Sequence, residues 1–401
     1  MNGRLRRHFP RVPLAVPLWS ADTYRTSMRC LVTGHVVDGP ELEQLRSQIV
    51  TALDVAEARL CGSGSLALEL ALRGLGVGAG DEVVLPTFCC TAAVPPILAL
   101  GATPVLADVG AELNLTVETV QAVLTRKTRA LIVPHLFGNP AEIDAIAESV
   151  RGEDIFVIDD AAQALGAAIG GRLVGSFGDA GIVSFGAEKV CAGIGGGVLI
   201  SRQREIAREA ATLIAPRLTT ELRRLLTTLF FRNWRRWTRP LGPICAPKSP
   251  EEPPPPYRRE AMSNLAAGVA SSLLQTLRES ISARRARVAA YRELLRNCPR
   301  LELIAHRAGS ACLTQVARIL PDKRQNEPAT HLVEVLGATG YEVWGSYMPI
   351  HLLPALDRCV WDRLPHADRI WADLIELPCE PSVSLSDVEQ IAAVIRKVAA
   401  D

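Results

Sequence analysis

Between about residues 55 and 200 the chain alternates short apolar runs with longer segments of helical period. The series reads "LALELALRGLG", "DEVVLP", "AAVPPILALG", "TPVLAD", "LTVETVQAVLT", "RALIVPHLFG", "AEIDAIAESV" and "IFVIDD". Alternation of this kind predicts an α/β fold: a mainly parallel sheet covered by helices, with ligand sites at the carboxyl ends of the strands. Asp108, His135 and Asp160 each stand at or near such an end. The chain has 401 residues, more than the ~250–300 at which single cores usually stop growing. Two domains are therefore expected. Residues 202–239 are rich in arginine and helical in period, and "PKSPEEPPPPY" at 247–257 cannot be helix or inner strand, because proline lacks a donor and fixes φ. This places a large domain at 1–256, carrying an arginine-rich insertion over 202–256, and a smaller α+β domain at 257–401.

Lysine and arginine number 44 against 43 aspartates and glutamates, so no global field exists to hold nucleic acid. Ten cysteines are scattered without any C-x-x-C pair, which predicts reduced thiols and no metal site. The basic N-terminal stretch is interrupted by prolines, and no apolar run reaches the ~18 residues of a membrane span. A cytoplasmic protein is expected.

The stretch "SFGAEKVCAGIGGG" (184–197) sets one lysine, Lys189, before a glycine-rich run. A solvated loop lysine is the ordinary reading. Two neighbours change it. "FVIDDAAQALGA" puts Asp160 at a strand end, where it also suits a helix N-cap. "CGSGSLALELAL" runs small residues, Gly64 and Ser65 among them, into an amphipathic helix whose free N–H groups and dipole suit a phosphate. A phosphorylated cofactor with a carbonyl needs an amine for a Schiff base, a carboxylate to keep its ring nitrogen protonated, and a helix start for its phosphate. Lys189, Asp160 and Gly64–Ser65 meet those needs in that order.

The ordered set "TGHVVDGPELEQL", "GSGSLAL", "GDEVVLPTF", "GATPVLADV", "RKTRALIVPHLFG", "VIDDAAQALGA", "GSFGDAGIVSFGAEK" and "GGGVLIS", resumed at "MSNLAAG" and "MPIHLLP", resembles the DegT/DnrJ/EryC1/StrS aminotransferases. The resemblance implies a fold-type I enzyme with pyridoxal 5′-phosphate. Lys189 would be the Schiff-base lysine and Asp160 the partner of the pyridine nitrogen, with Gln163 by the cofactor's 3′-oxygen. Ser184, Gly64 and Ser65 match phosphate-binding positions. Where the family stacks an aromatic residue on the ring this chain has Cys90, and Phe88 two residues earlier is expected on the same face if strand geometry continues. In "RREAM", Arg259 stands for the family's asparagine and Ala261 for its arginine. Arg259 would reach the phosphate of a partner subunit in a homodimer. His135 and His351 are expected to line the substrate pocket.

The implied reaction moves an amino group from an amino acid donor, glutamate, to a carbonyl acceptor such as a nucleotide-linked keto-sugar. The alternatives are a sugar dehydratase of the same family, whose relatives carry histidine at the lysine position, and a cofactor-binding regulator without turnover. In the segment 217–239, seven arginines face only Glu221, and Leu222, Leu225, Leu226, Leu229, Phe230 and Trp237 recur at helical spacing. Such a helix either packs on the core or contacts a membrane surface or partner enzyme.

Overall fold

A computed structural model describes residues 12, 14, 18–208, 212–229, 256–320 and 328–400. Seven strands form the main sheet: β1 (Glu57–Cys61), β2 (Glu82–Pro86), β3 (Thr103–Ala107), β4 (Thr128–Pro134), β5 (Phe156–Asp160), β8 (Ala180–Ser184) and β9 (Gly197–Ser201), in the order β1-β9-β8-β5-β4-β2-β3. A small hairpin, β6 (Ala168–Ile169) with β7 (Arg172–Leu173), lies between β5 and β8 in the chain. The inner strands bury nearly every residue, as strands covered on both faces must.

One strand runs the other way. β9 is antiparallel to both β8 and β1, whereas β3, β2, β4, β5 and β8 pair in parallel. A parallel return needs a crossover, usually through a helix. The connection from β8 to β9 is the glycine-rich segment holding Lys189 and contains no helix, so the chain turns back directly. Cys61, Ser184 and Gly197 consequently meet at one edge: Cys61 pairs with Gly197, and Gly197 with Ser184. Asp160 ends β5 at the same edge, opposite Ile182 of β8 and Pro134 of β4.

The second sheet is antiparallel, ordered β10 (Leu301–Leu303), β11 (Thr314–Ile319), β13 (Leu374–Pro378), β12 (Trp344–Gly345). Ile375 and Leu377 of β13 pack with Tyr291, Leu295, Ile391 and Ile395 of the helices Leu277–Leu295 and Leu385–Ala400. Helix Asn264–Gln275 is buried in the large core beside helices Ala21–Val32 and Glu41–Leu53. Along Leu277–Leu295, Ile281 belongs to the large core and Tyr291 to the small one. We place the division inside that helix, rather than at the proline-rich stretch near 257. Val12, expected in the large domain, pairs with Tyr341 and packs in the small core.

Helix Leu218–Leu226 is the described part of the arginine-rich segment. It docks on the large core through Leu225 and, just beyond its end, Leu229. Glu221 is 1% exposed, bonded to Arg224 at 2.6 Å, and accepts from Ser263 Oγ at 2.7 Å. Packing on the core therefore accounts for this half, although Leu226 remains exposed. Phe230, Arg232, Arg235, Arg236, Trp237 and Arg239 lie outside the described residues. Among the described residues no helix is long and apolar enough to cross a membrane, and no cluster of three metal-ligating side chains occurs.

Gly197 is where two backbones touch: a Cβ there would stand 2.3 Å from the Ser63 carbonyl and 2.6 Å from Gly64 N. Gly197→Ala should lower stability by about 1–3 kcal/mol or more through overpacking. Gly78→Ala, which meets nothing within 4 Å, should leave the melting temperature nearly unchanged. Equal melting temperatures for the two variants would show that the contact is not tight.

Candidate active site

The sheet edge where β1, β8 and β9 meet builds an anion cradle. After β1 the chain turns at Gly62 and Ser63 and enters helix Gly64–Gly74, whose N-cap Ser63 accepts from Leu66 N at 3.2 Å. The first N–H groups of any helix lack carbonyl partners within it, and here they belong to Gly64 and Ser65. Ser184, at the end of β8, brings its hydroxyl to the same spot, 3.2 Å from where a Cβ on Gly64 would sit. Gly196 closes the floor, with φ +105° and its N–H donating to Gly62 O at 3.2 Å. Helix dipole, two free N–H groups and a hydroxyl are the parts of a phosphate site.

Lys189 is half-buried beside this cradle. A Cβ placed on Gly186 would lie 3.6 Å from both Ser184 Oγ and Lys189 Cγ, so lysine stem and serine hydroxyl share one small space. Asp160 faces the lysine across it. Burial pushes the Asp160 carboxyl above its ordinary range, opposed by the bond from Ala162 N at 2.9 Å and by the Lys189 ammonium. A carboxylate so placed, with one backbone donor and a lysine nearby, suits a cationic ring nitrogen. Gln163 is buried, its Oε1 accepting from Phe137 N and its Nε2 donating to Tyr347 Oη, each at 3.0 Å. The amide is thus held rigidly toward the site.

Five further expected site residues have the following surroundings. β2 ends at Pro86, so the alternation that was to aim Phe88 and Cys90 to one face stops before them. Phe88 is fully buried, edge-on to Tyr347 at 6.0 Å and near Phe137 at 6.3 Å, whereas Cys90 is half-buried. His135 is fully buried: its Nδ1 accepts from Ala141 N at 2.8 Å, so the ring proton sits on Nε2 and donates to Asp159 Oδ1 at 2.7 Å. It lines no pocket. His351 bonds Thr87 Oγ1 and Asp368 Oδ1, both at 2.7 Å, and fastens its segment to the end of β2. Arg259 is paired with Glu69 at 2.6 Å, alongside Arg73 and the Tyr257 hydroxyl. Burial would raise the Glu69 pKa, but these three donors outweigh it and hold it below the ordinary value. Glu69 stands more than a turn beyond the helix start, while the carbonyl of Glu260, the residue after Arg259, accepts from Gly62 N at 2.8 Å beside the cradle.

A family model describing the DegT/DnrJ/EryC1/StrS aminotransferases matches residues 20–396. The chain belongs to that family. It is 25% identical over 397 residues to a GDP-perosamine synthase of Caulobacter vibrioides, covering 97% of this chain and 98% of that protein. A UDP-N-acetyl-3-dehydro-alpha-D-glucosamine 3-aminotransferase of Acidithiobacillus ferrooxidans is 39% identical over 173 residues, 43% of this chain and 47% of the relative. Among solved structures, the aminotransferase TlmJ of Streptoalloteichus hindustanus superposes with a TM-score of 0.78 at 27% identity, covering 97% of this chain and 99% of that one. Fold-type expectation and family membership therefore agree with the α/β architecture.

For this family member two pocket residues went unread in the sequence. Tyr347 lies in "SYMPIHLLP", which drew attention only to its histidine. Glu376 of β13 carried no sequence signal, because its strand reads as ordinary core. Burial lifts the Glu376 carboxyl from 4.5 to about 7, against weak help from the Ser346 and Thr314 hydroxyls. A raised carboxyl pKa means that the native state keeps its proton longer than the unfolded chain. The associated stability is full below pH 4.5 and is lost as pH rises through about 7. Glu376→Gln, which cannot ionise, should therefore gain stability relative to the native chain between pH 5 and 8, by up to roughly 3 kcal/mol. A difference in melting temperature that stays constant with pH would contradict the assignment.

Proposed function

We propose that this aminotransferase uses pyridoxal 5′-phosphate to move an amino group from an amino acid donor, glutamate, to a nucleotide-linked keto-sugar or a related biosynthetic carbonyl compound. The observation that carries this reading is the convergence of Lys189, Asp160 and the Gly64–Ser65–Ser184 cradle on one sheet edge. When bound, the cofactor supplies an aldehyde that captures amines and a conjugated ring that accepts electrons released at a carbon. The chain's residues do the rest. Ser184 Oγ and the N–H groups of Gly64 and Ser65 hold the phosphate. Asp160, in its buried setting, keeps a proton on the ring nitrogen, which is what makes the ring a strong electron acceptor. Lys189 Nζ would serve as general base and acid, moving a proton between a substrate's Cα and the bound group in each half-reaction. Gln163, fixed by Phe137 N and Tyr347, orients the ring from its oxygen side.

The sugar assignment draws on the names of the relatives, a perosamine synthase and an amino-sugar aminotransferase. A lysine at 189 favours transamination over the dehydratase alternative. The reading also has a homodimer as the active unit, with each site at the subunit boundary. Arg259, about half exposed while held by Glu69, is the residue we place toward the partner's phosphate. Sedimentation of the active species tests the dimer, and Arg259→Ala should weaken cofactor affinity if the placement holds.

Lys189→Ala should abolish the glutamate half-reaction, followed through the cofactor's absorbance, while leaving the melting profile of a folded protein. Asp160→Asn should slow that half-reaction by about a hundredfold or more. Normal turnover by Lys189→Ala without added amine would falsify the catalytic assignment. A native protein that binds the cofactor yet leaves its spectrum unchanged with glutamate would identify the regulator alternative instead.

A further inference from the structure

Glu376 has a setting that the transamination chemistry above does not use. It lies on β13 opposite Val316 of β11 and Trp344 of β12. Its strand neighbours Ile375 and Leu377 face the small-domain core, whereas Leu374, two residues before it, and Val316 pack in the core that holds Phe88 and Phe137. The Glu376 side chain therefore lies on the face of the small sheet turned toward the large domain. Two neighbours fix where on that face. Ser346, whose Oγ is 3.4 Å from Glu376 Oε1, directly precedes Tyr347, and Tyr347 contacts Gln163. Glu188, directly before Lys189, raises the proton affinity of Glu376 electrostatically. The carboxyl thus lies beside the segment that carries Tyr347.

Its polar partners are poor. The hydroxyls of Thr314 and Ser346 approach only to 3.4 Å, long for hydrogen bonds to a carboxylate. Among the described residues no lysine, arginine or histidine forms an ion pair with it. A half-buried carboxylate with such distant partners costs free energy until donors reach it, and a substrate entering between the domains can bring them.

We propose that Glu376 is a specificity-determining residue, its carboxylate accepting hydrogen bonds from hydroxyl or amino groups that the carbonyl acceptor carries near its reacting carbon. This rests on the aminotransferase reading above. The amino donor is the wrong match: glutamate brings two carboxylates toward Glu376, and its one ammonium group is engaged by the reaction itself. Glu376 thus separates the two substrates that must share one site, welcoming the polyhydroxylated one and repelling the dicarboxylate.

The test compares native holoenzyme with Glu376→Leu and Glu376→Gln in separate half-reactions, one with glutamate and one with nucleotide-linked 4-keto-6-deoxyhexoses. Glu376→Leu should lose about ten- to a hundredfold in kcat/KM for the keto-sugar, with Glu376→Gln between it and the native enzyme, and KM for glutamate should fall in both. Parallel losses in the two half-reactions, or no loss with the sugar, would overturn the proposal. Glu376→Gln keeps the shape of the site and answers the case in which the leucine variant fails to fold. A native enzyme that aminates none of the sugars but still reacts with glutamate would strike the keto-sugar reading alone; the glutamate KM then decides Glu376, since an unchanged or higher value in either variant rejects the proposed repulsion.

Discussion

The contact between Gly197 and the Ser63–Gly64 backbone organises the site. No side chain separates the start of β9 from the start of the cradle helix, so the helix's free N–H groups sit flush against the sheet edge where Ser184 ends β8. That closeness is possible only because β9 returns antiparallel through a glycine-rich segment. The same return keeps Lys189 at this edge instead of carrying it away along a crossover helix. Strand order, glycine content and lysine position are one arrangement seen three ways.

Buried carboxyl groups divide the labour around it, and each is settled by different neighbours. Asp159 and Asp160 are adjacent on β5 and point to opposite faces. Asp159 accepts from His135 Nε2 and from Phe177 N, which bolts β5 to the segment after β4 and to the one before β8. Asp160 has one backbone donor and a lysine nearby, which leaves it available. Glu69 is saturated by Tyr257, Arg73 and Arg259 and ties the "RREAM" segment to the cradle helix. Glu376 has two distant hydroxyls and a carboxylate for company. Satisfied groups hold the frame, whereas the under-satisfied ones keep their protons to higher pH, because burial disfavours a charge that lacks donors.

Three residues at the carboxyl ends of strands show how far sequence position reaches. Asp108, His135 and Asp160 look equivalent in the chain. Asp108 accepts from His366 N and Ala367 N and caps the short helix Pro365–Ile370. His135 is sealed in a buried pair. Only Asp160 opens to the lysine. Likewise Phe88 and Cys90 seemed to share a face, but the strand that would have imposed the alternation ends at Pro86.

What the chain determined by itself was periodic or local: alternating apolar runs that demand a covered parallel sheet, small residues before an amphipathic helix, a lysine preceding glycines, a carboxylate closing a strand. These follow from backbone geometry over a few residues, and the resemblance to a known family joined them into one chemistry. Tertiary structure decided which polar groups are used up. Whether Arg259 meets Glu69, whether a histidine finds a buried carboxylate, and that Glu376 comes to rest against Ser346 and Thr314 depend on side chains far apart in the sequence. Residues 69 and 259, or 163 and 347, become neighbours only when the chain packs, because hydrogen bonding and desolvation act over a few ångströms in space and are blind to distance along the chain.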